Sequence, residues 1–173
     1  MTLSLPRGLT RWLTQRANRI MATRPYDFPV GGHDDPYMLR WWVIPRNPLF
    51  NIYLHRFLRD DEDRALHDHP WVSCSIVLEG GYWEHLSASV RCWRAPGSIH
   101  PRRAKAAHRI SLERDYHGAG SRAEERRRPA TTLFLTGPRI RRWGFHCPRG
   151  WVDWEMFVAP EDKGSVGRGC GES

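Results

Sequence analysis

Short runs of strand-forming residues, each closed within a few positions by glycine or proline, restrict the fold of this chain more than any other feature. Thr131-Thr132-Leu133-Phe134-Leu135-Thr136, stopped by Gly137-Pro138, is the clearest buried strand. Residues 37–44 end at Pro45-Arg46-Asn47-Pro48, and residues 50–58 form a second candidate. On that second run Ile52, Leu54 and Leu58 share one face and Tyr53, His55 and Phe57 the other, and parity does not say which looks inward. Further strands are expected over 73–78, 82–86, 90–94, 108–112, 142–146 and 151–158, with Gly80-Gly81 as a hairpin turn between the first two. Many short strands at such spacing predict an all-β sandwich or barrel.

The two ends read differently. Residues 1–24 contain Arg7, Arg11, Arg16, Arg19 and Arg24 and no acid. Leu9, Trp12, Leu13, Ala17 and Ile20 recur at helical spacing, which predicts an amphipathic helix over about 10–22. A transit peptide or a membrane-surface helix shares that signature, but a helix laid against the outside of the domain is the simpler reading. Residues 115–130 have no period and read as a loop, and the Gly-rich end reads as disordered. The expected division is therefore an extension over 1–25, one β domain over 26–159 and a tail over 160–173.

Net charge is +8, concentrated in the N-terminal segment, Arg102-Arg103-Lys105, Arg126-Arg127-Arg128 and Arg139-Arg141-Arg142. No helix-turn-helix, zinc-finger or aromatic RNA-binding signature accompanies these clusters, so nucleic acid is not the expected partner. No run reaches the roughly 20 apolar residues of a membrane span. Cys74, Cys92, Cys147 and Cys170 show no Cys-x-x-Cys, so neither a disulfide framework nor a zinc ribbon is indicated and a reducing cytoplasm fits. Asp60-Asp61-Glu62-Asp63 lacks the alternation and glycine of a calcium loop and reads as a solvated turn.

The chemistry is concentrated in His67-Asp68-His69-Pro70-Trp71. Two histidines one residue apart on an extended segment project from the same side, roughly 6 to 7 Å apart along the strand. Both rings can then lean onto one metal ion at about 2.0 to 2.2 Å each. His69 is followed at eleven residues by Gly80, and Gly97 at eleven residues by His108.

These spacings resemble the two motifs of the cupins, which are jelly-roll barrels. The first motif lands on His67, His69 and Gly80, with Ser73, or Cys74 on the longer gap, in place of the ligating Glu, and Asp61 in place of the leading Gly. The second lands on Gly97 and His108, with Arg103, Lys105 and Leu112 in place of its Pro, Gly and Asn. Pro45-Arg46-Asn47, the Arg64–Trp71 phrase, Leu135-Thr136-Gly137-Pro138 and Trp143-Gly144-Phe145 also resemble small bacterial and phage cupins, a subfamily that brings no settled activity. The resemblance implies a cupin-type jelly roll with a metal held by His67, His69 and His108. It implies a divalent transition metal, iron first, with manganese, nickel or zinc as alternatives. Some cupin oxygenases, the thiol dioxygenases, bind iron in a similar way with three histidines.

Three neutral imidazoles leave coordination positions open for water or substrate. The expected function is thus a metal-dependent reaction on a small substrate, dioxygenase-like or isomerase- or hydrolase-like. The Arg102, Arg103, Lys105 and Arg109 patch favours an anionic one. A non-catalytic module that binds a small ligand is the alternative, and an anion or nucleic-acid interaction protein a third. Glu84 is a candidate for the missing carboxylate, against a plain surface glutamate. His100 is expected in a connection and His146 in the core or the pocket. Tyr53, His55 and Arg109 are candidates to support the metal ligands. The tryptophans are expected in the core and on a homodimer face.

Overall fold

The computed structural model describes residues 3–61, 65–117, 124–159 and 165–171. A short strand, β1 (Leu3–Ser4), leads into helix α1 (Arg7–Thr23). The helix stops where Arg24 precedes Pro25, since proline pushes the residue before it into the extended conformation found there. Then follow β2 (Phe28–Val30), β3 (Met38–Trp42), β4 (Asn51–Phe57), β5 (Leu66–His67), β6 (Ser73–Glu79), β7 (Tyr82–His85), β8 (Arg91–Arg94), β9 (Ser98–Arg102) and β10 (Arg109–Leu112). The chain continues through β11 (Arg114–His117), β12 (Glu124–Arg127), β13 (Ala130–Thr136), β14 (Gly144–Cys147), β15 (Gly150–Asp153), α2 (Trp154–Phe157), β16 (Val158–Ala159) and β17 (Ser165–Val166).

One layer is a seven-stranded antiparallel sheet in the order β1-β9-β6-β13-β4-β3-β2. The other is made of β10-β7-β8 and β15-β14-β5, joined by an antiparallel bridge between His67 and His108. This is the all-β architecture with a leading helix that the strand pattern predicts.

Residue alternation divides the large sheet between two cores. Inward, Met38, Phe57 and Val77 pack with Tyr82, Ile110 and Leu112 of the facing layer. Outward, Trp41, Leu54 and Leu78 pack under Ala17 of α1, with Leu13, Ile20 and Met21 beside it. The Thr14 hydroxyl fixes the helix to the sheet by donating to the Leu78 carbonyl at 3.0 Å. Tyr53, His55 and Phe57 therefore face the lumen, and Leu54 faces the helix.

Several expectations are corrected. Gly80-Gly81 is no hairpin turn: β6 pairs with β13 and β9, whereas β7 pairs with β10 and β8, so the glycines carry the chain from one layer to the other. Gly80 has φ 70°, and a Cβ there would lie 2.4 Å from the Pro129 carbonyl oxygen. Residues 115–130 are not a plain loop, because β11 and β12 pair as antiparallel strands; residues 118–123 lie outside the described residues. The expected strand over 151–158 breaks at Asp153, whose carboxylate accepts from the Glu155 N–H at 3.1 Å and starts the single turn of α2.

The tail and the cysteines also depart from expectation. β17 pairs with β16, and Cys170 is disulfide-bonded to Cys147 across a Cα–Cα distance of 5.4 Å. The bond joins a cluster of Ala65, Phe145 and Phe157, and Phe157 is fully buried. Spacing alone could not show this pair, because the cysteines are 23 residues apart and meet only through the β14–α2 packing. A disulfide does not fit the reducing compartment read from the spacing. Residues 160–164 and 172–173 of the tail lie outside the described residues. No described helix is long and apolar enough to cross a membrane.

Candidate metal centre

The bridge between β5 and the start of β10 brings the histidines together. The His67 N–H donates to the His108 carbonyl and the His108 N–H to the His67 carbonyl, both at 2.9 Å. Two residues on, the His69 N–H donates to the Ala104 carbonyl at 3.0 Å. These three bonds hold segments forty positions apart in register, and alternation turns His67 and His69 the same way. One ring nitrogen from each of His67, His69 and His108 lies within 4.8 Å of the others. The Nε2 atoms of His69 and His108 are 2.9 Å apart.

Asp68 points the other way and anchors the turn. It is 1% exposed and accepts from Arg141 at 2.7 Å, the Gly144 N–H at 3.0 Å and the Trp151 indole at 3.1 Å. Burial would raise this carboxyl, but the hydrogen bonds from Arg141, Gly144 and His146 outweigh it and hold it below the usual range. His146 itself is exposed, 3.2 Å from Asp68, and neither lines the pocket nor packs in the core.

Carboxylates stand behind two of the rings. Glu84 Oε1 is 2.7 Å from His108 Nδ1. Asp61 Oδ2 is 3.0 Å from His67 Nδ1, within contact distance but without hydrogen-bond alignment. A carboxylate at Nδ1 keeps the proton on that nitrogen and leaves Nε2 with its lone pair. Burial, then the charges of His67 and His108, puts His69 well below its ordinary pKa. Burial, then His67 and Arg102, does the same to His108. Both rings are neutral near pH 7, the form that binds metal.

The donor set passes a test of fit. Two nitrogens each about 2.1 Å from one ion stand about 3 to 3.5 Å apart at octahedral or tetrahedral angles. The 2.9 Å between His69 and His108 matches the short end of that range, and the 4.8 Å envelope asks only for small ring rotations.

The rings open on a cavity of about 70 Å³ between the layers. Its walls follow strand alternation: Met38 and Arg40 from β3, His55 and Phe57 from β4, Ser73 and Ser75 from β6, His100 and Arg102 from β9, Thr132 and Phe134 from β13. Ser73 therefore faces the cavity, and Cys74 is not among its lining residues. Tyr53 lies behind His55, ring centroids 5.9 Å apart, and Arg109 pairs with His85 on β7.

Two acidic positions are corrected. Glu84 is no surface glutamate; it is 2% exposed and pairs with Arg94 and Arg102 as well as His108. It supports a histidine and does not stand among the three ring nitrogens. Asp60 and Asp61 are 7% and 8% exposed, not solvated. Asp60 accepts from the Leu112 N–H at 2.7 Å and from Arg114 at 2.9 Å. His100 belongs to β9, not to a connection, and approaches the Ser98 hydroxyl at 2.8 Å.

Sequence reasoning passed over Arg40, Asp68, Thr132 and Phe134. Arg40 carried a usable signal, being a charge inside an apolar run and two residues from buried Met38.

No protein-family model matches this sequence, and no curated protein does. Among solved structures, the chain is similar to a DMSP lyase from Ruegeria pomeroyi, with 14% identity, 82% of this chain and 79% of that one covered, and a TM-score of 0.49. It is similar to a protein with a double-stranded beta-helix domain from Klebsiella pneumoniae, with 14% identity, 67% and 89% covered, and a TM-score of 0.45. A cupin-like protein from Thermotoga maritima gives 13% identity, 68% and 80% covered, and a TM-score of 0.45. The last two are described as carrying a double-stranded beta-helix domain and as cupin-like, respectively.

Proposed function

We propose that this chain is a metalloprotein in which His67, His69 and His108 hold one divalent transition metal and present its open positions to a small anionic ligand. The observation that carries the reading is the convergence of three imidazole nitrogens within 4.8 Å, on two buried rings backed by carboxylates and the half-buried His69. Such a bound ion would act as a Lewis acid toward a ligand oxygen or sulfur and could support oxygen-dependent chemistry, if iron, or isomerisation or hydrolysis.

The chain's own residues have defined tasks in this reading. Glu84 keeps the His108 proton on Nδ1, and the Asp68 cluster holds the backbone between His67 and His69. Phe134 packs against His69 at a centroid distance of 5.9 Å and keeps that ring from turning away. Most of the lining side chains are buried between the layers, which strengthens the charge interactions among them.

The 2.9 Å contact between His69 and His108 also favours a second reading, a ligand-binding lumen in which the two rings share a hydrogen bond without metal. Elemental analysis of the purified chain decides between them. The expected result is close to one metal per chain after incubation with iron, manganese, nickel or zinc. His67→Ala and His108→Ala should abolish uptake, and Glu84→Gln should weaken it by about 10- to 100-fold in competition with a chelator. Equal occupancy in wild type and both alanine variants removes the site.

A further inference from the structure

Arg40 stands in the cavity wall without a counter-ion. Its Nε donates to His55 Nε2 at 2.9 Å, and its guanidinium lies 4.9 Å from the centre of the Tyr53 ring. Among the described residues nothing hydrogen-bonds to Nη1 or Nη2, and no carboxylate pairs with the group. The other arginines of the site differ, since Arg94 and Arg102 both pair with Glu84. A guanidinium cannot shed its charge, and Arg40, half-buried in the cavity wall, carries it with no carboxylate beside it among the described residues.

A second observation points the same way. Thr132 is 1% exposed and lines the same cavity, and its Oγ1 has no hydrogen-bond partner. Arg40 and Thr132 are the two cross-strand neighbours of His55, one on each side. The indole N–H of Trp71, a third lining residue, is also without a partner. Arg40, Thr132 and Trp71 can each donate a hydrogen bond, so a ligand that completes these three is rich in acceptors and negatively charged. The acidic lining residues are turned to other groups, Asp61 Oδ2 lying 3.0 Å from His67 Nδ1 and Glu84 pairing with Arg94, Arg102 and His108.

We propose that Arg40 is the receptor for the carboxylate of a small ligand, with the Thr132 hydroxyl donating a further hydrogen bond and His55 as the positioning residue. The planar Nη1/Nη2 edge matches the two oxygens of a carboxylate. His55 makes that edge available by accepting from Nε, which only a neutral imidazole can do. The cavity, about 70 Å³, admits short-chain acids. The proposal rests on the metal reading above only in placing the ligand's other end at the three histidines.

Calorimetric titration of the whole chelator-treated protein tests it, with propionate and its neutral isostere propionamide as probes. Propionate should bind wild type about tenfold or more tightly than propionamide. Arg40→Gln should weaken propionate by a similar factor and leave propionamide unchanged. Arg40→Lys, which keeps the charge and guards against a folding defect, should fall between. His55→Asn should weaken propionate although it touches no ligand atom, and Arg40→Lys should then make it no weaker. Arg40→Gln that binds propionate like wild type overturns the assignment, as does propionamide binding equal to propionate. Inorganic phosphate bound through Arg40 in preference to propionate overturns the carboxylate. Metal content of the same preparations separates the two claims. Arg40-dependent propionate binding in a chain that takes up no metal sinks only the metal reading, and normal metal uptake with no such binding sinks only this one.

Discussion

Glu84 does at residue scale what the fold needs most at this site. Its two oxygens meet His108, Arg102 and Arg94, so a carboxylate at 2% exposure is matched by two guanidiniums and an imidazole. Without them a buried carboxylate would cost several kcal/mol. Position 84 reads in sequence as a polar residue on a half-exposed strand, because its partners come from β8, β9 and the residue just before β10. His100 shows the other way a buried group is kept compatible, by staying uncharged. Burial, with Arg94 nearby, lowers its pKa from the ordinary 6.5 to about 4. Between those values the unfolded chain binds a proton that the folded chain refuses. The stability this group contributes is therefore fully present above pH 6.5 and is lost as pH falls toward 4. Urea denaturation of wild type and His100→Asn at pH 5 and pH 7 measures this. The variant should lose less stability on acidification, and equal losses would remove the argument.

At the scale of elements, the crossing between β6 and β7 is the joint on which the cavity depends. Glu79 still pairs in the large sheet, opposite Thr131, and Tyr82 already pairs in the facing one, opposite Arg94 and Leu112. Only Gly80 and Gly81 lie between, and both approach other atoms too closely for a side chain: Pro129 at the first, Trp93 at the second. Gly80→Ala meets a positive φ and a backbone oxygen at once, so we expect a loss of about 1–3 kcal/mol or more. A lower urea midpoint with an unchanged slope is the expected readout; an unchanged midpoint would mean the crossing is more yielding than the contacts imply. A pair of glycines after an apolar run signals a turn in any β protein. Whether the turn folds a strand back on its neighbour or sends it to the opposite sheet is decided by what β6 pairs with, and those partners are β13 and β9.

For the whole molecule, the charge surplus and the tail look different once folded. Arg102 is in the cavity wall, Arg127 approaches Asp60, Arg128 pairs with Glu113, Arg141 with Asp68, and Arg142 with Asp153 and Glu155. Part of the clustered positive charge is thus matched by acids of the same chain. The tail is fastened by Cys147–Cys170, a loop whose closure is worth up to about 3 kcal/mol in the chain-entropy account. Cys170→Ser should lower stability by at most that amount and leave metal uptake intact, because His67 meets this cluster only through the Phe145 and Trp143 rings, centroids 5.8 and 6.2 Å away, and not at the disulfide itself; metal loss in this variant would show the two regions coupled. The sequence alone determined the all-β layout and the leading helix, because period-2 patterning and turn residues are local properties of the chain, and the resemblance of its motif spacings singled out His67, His69 and His108, which the fold brings together. Tertiary structure alone decided which face of β4 looks inward, that Glu84, Asp61 and Arg40 belong with the site, and that two distant cysteines meet. These depend on which strands become neighbours, and that is set by packing between segments far apart in the chain.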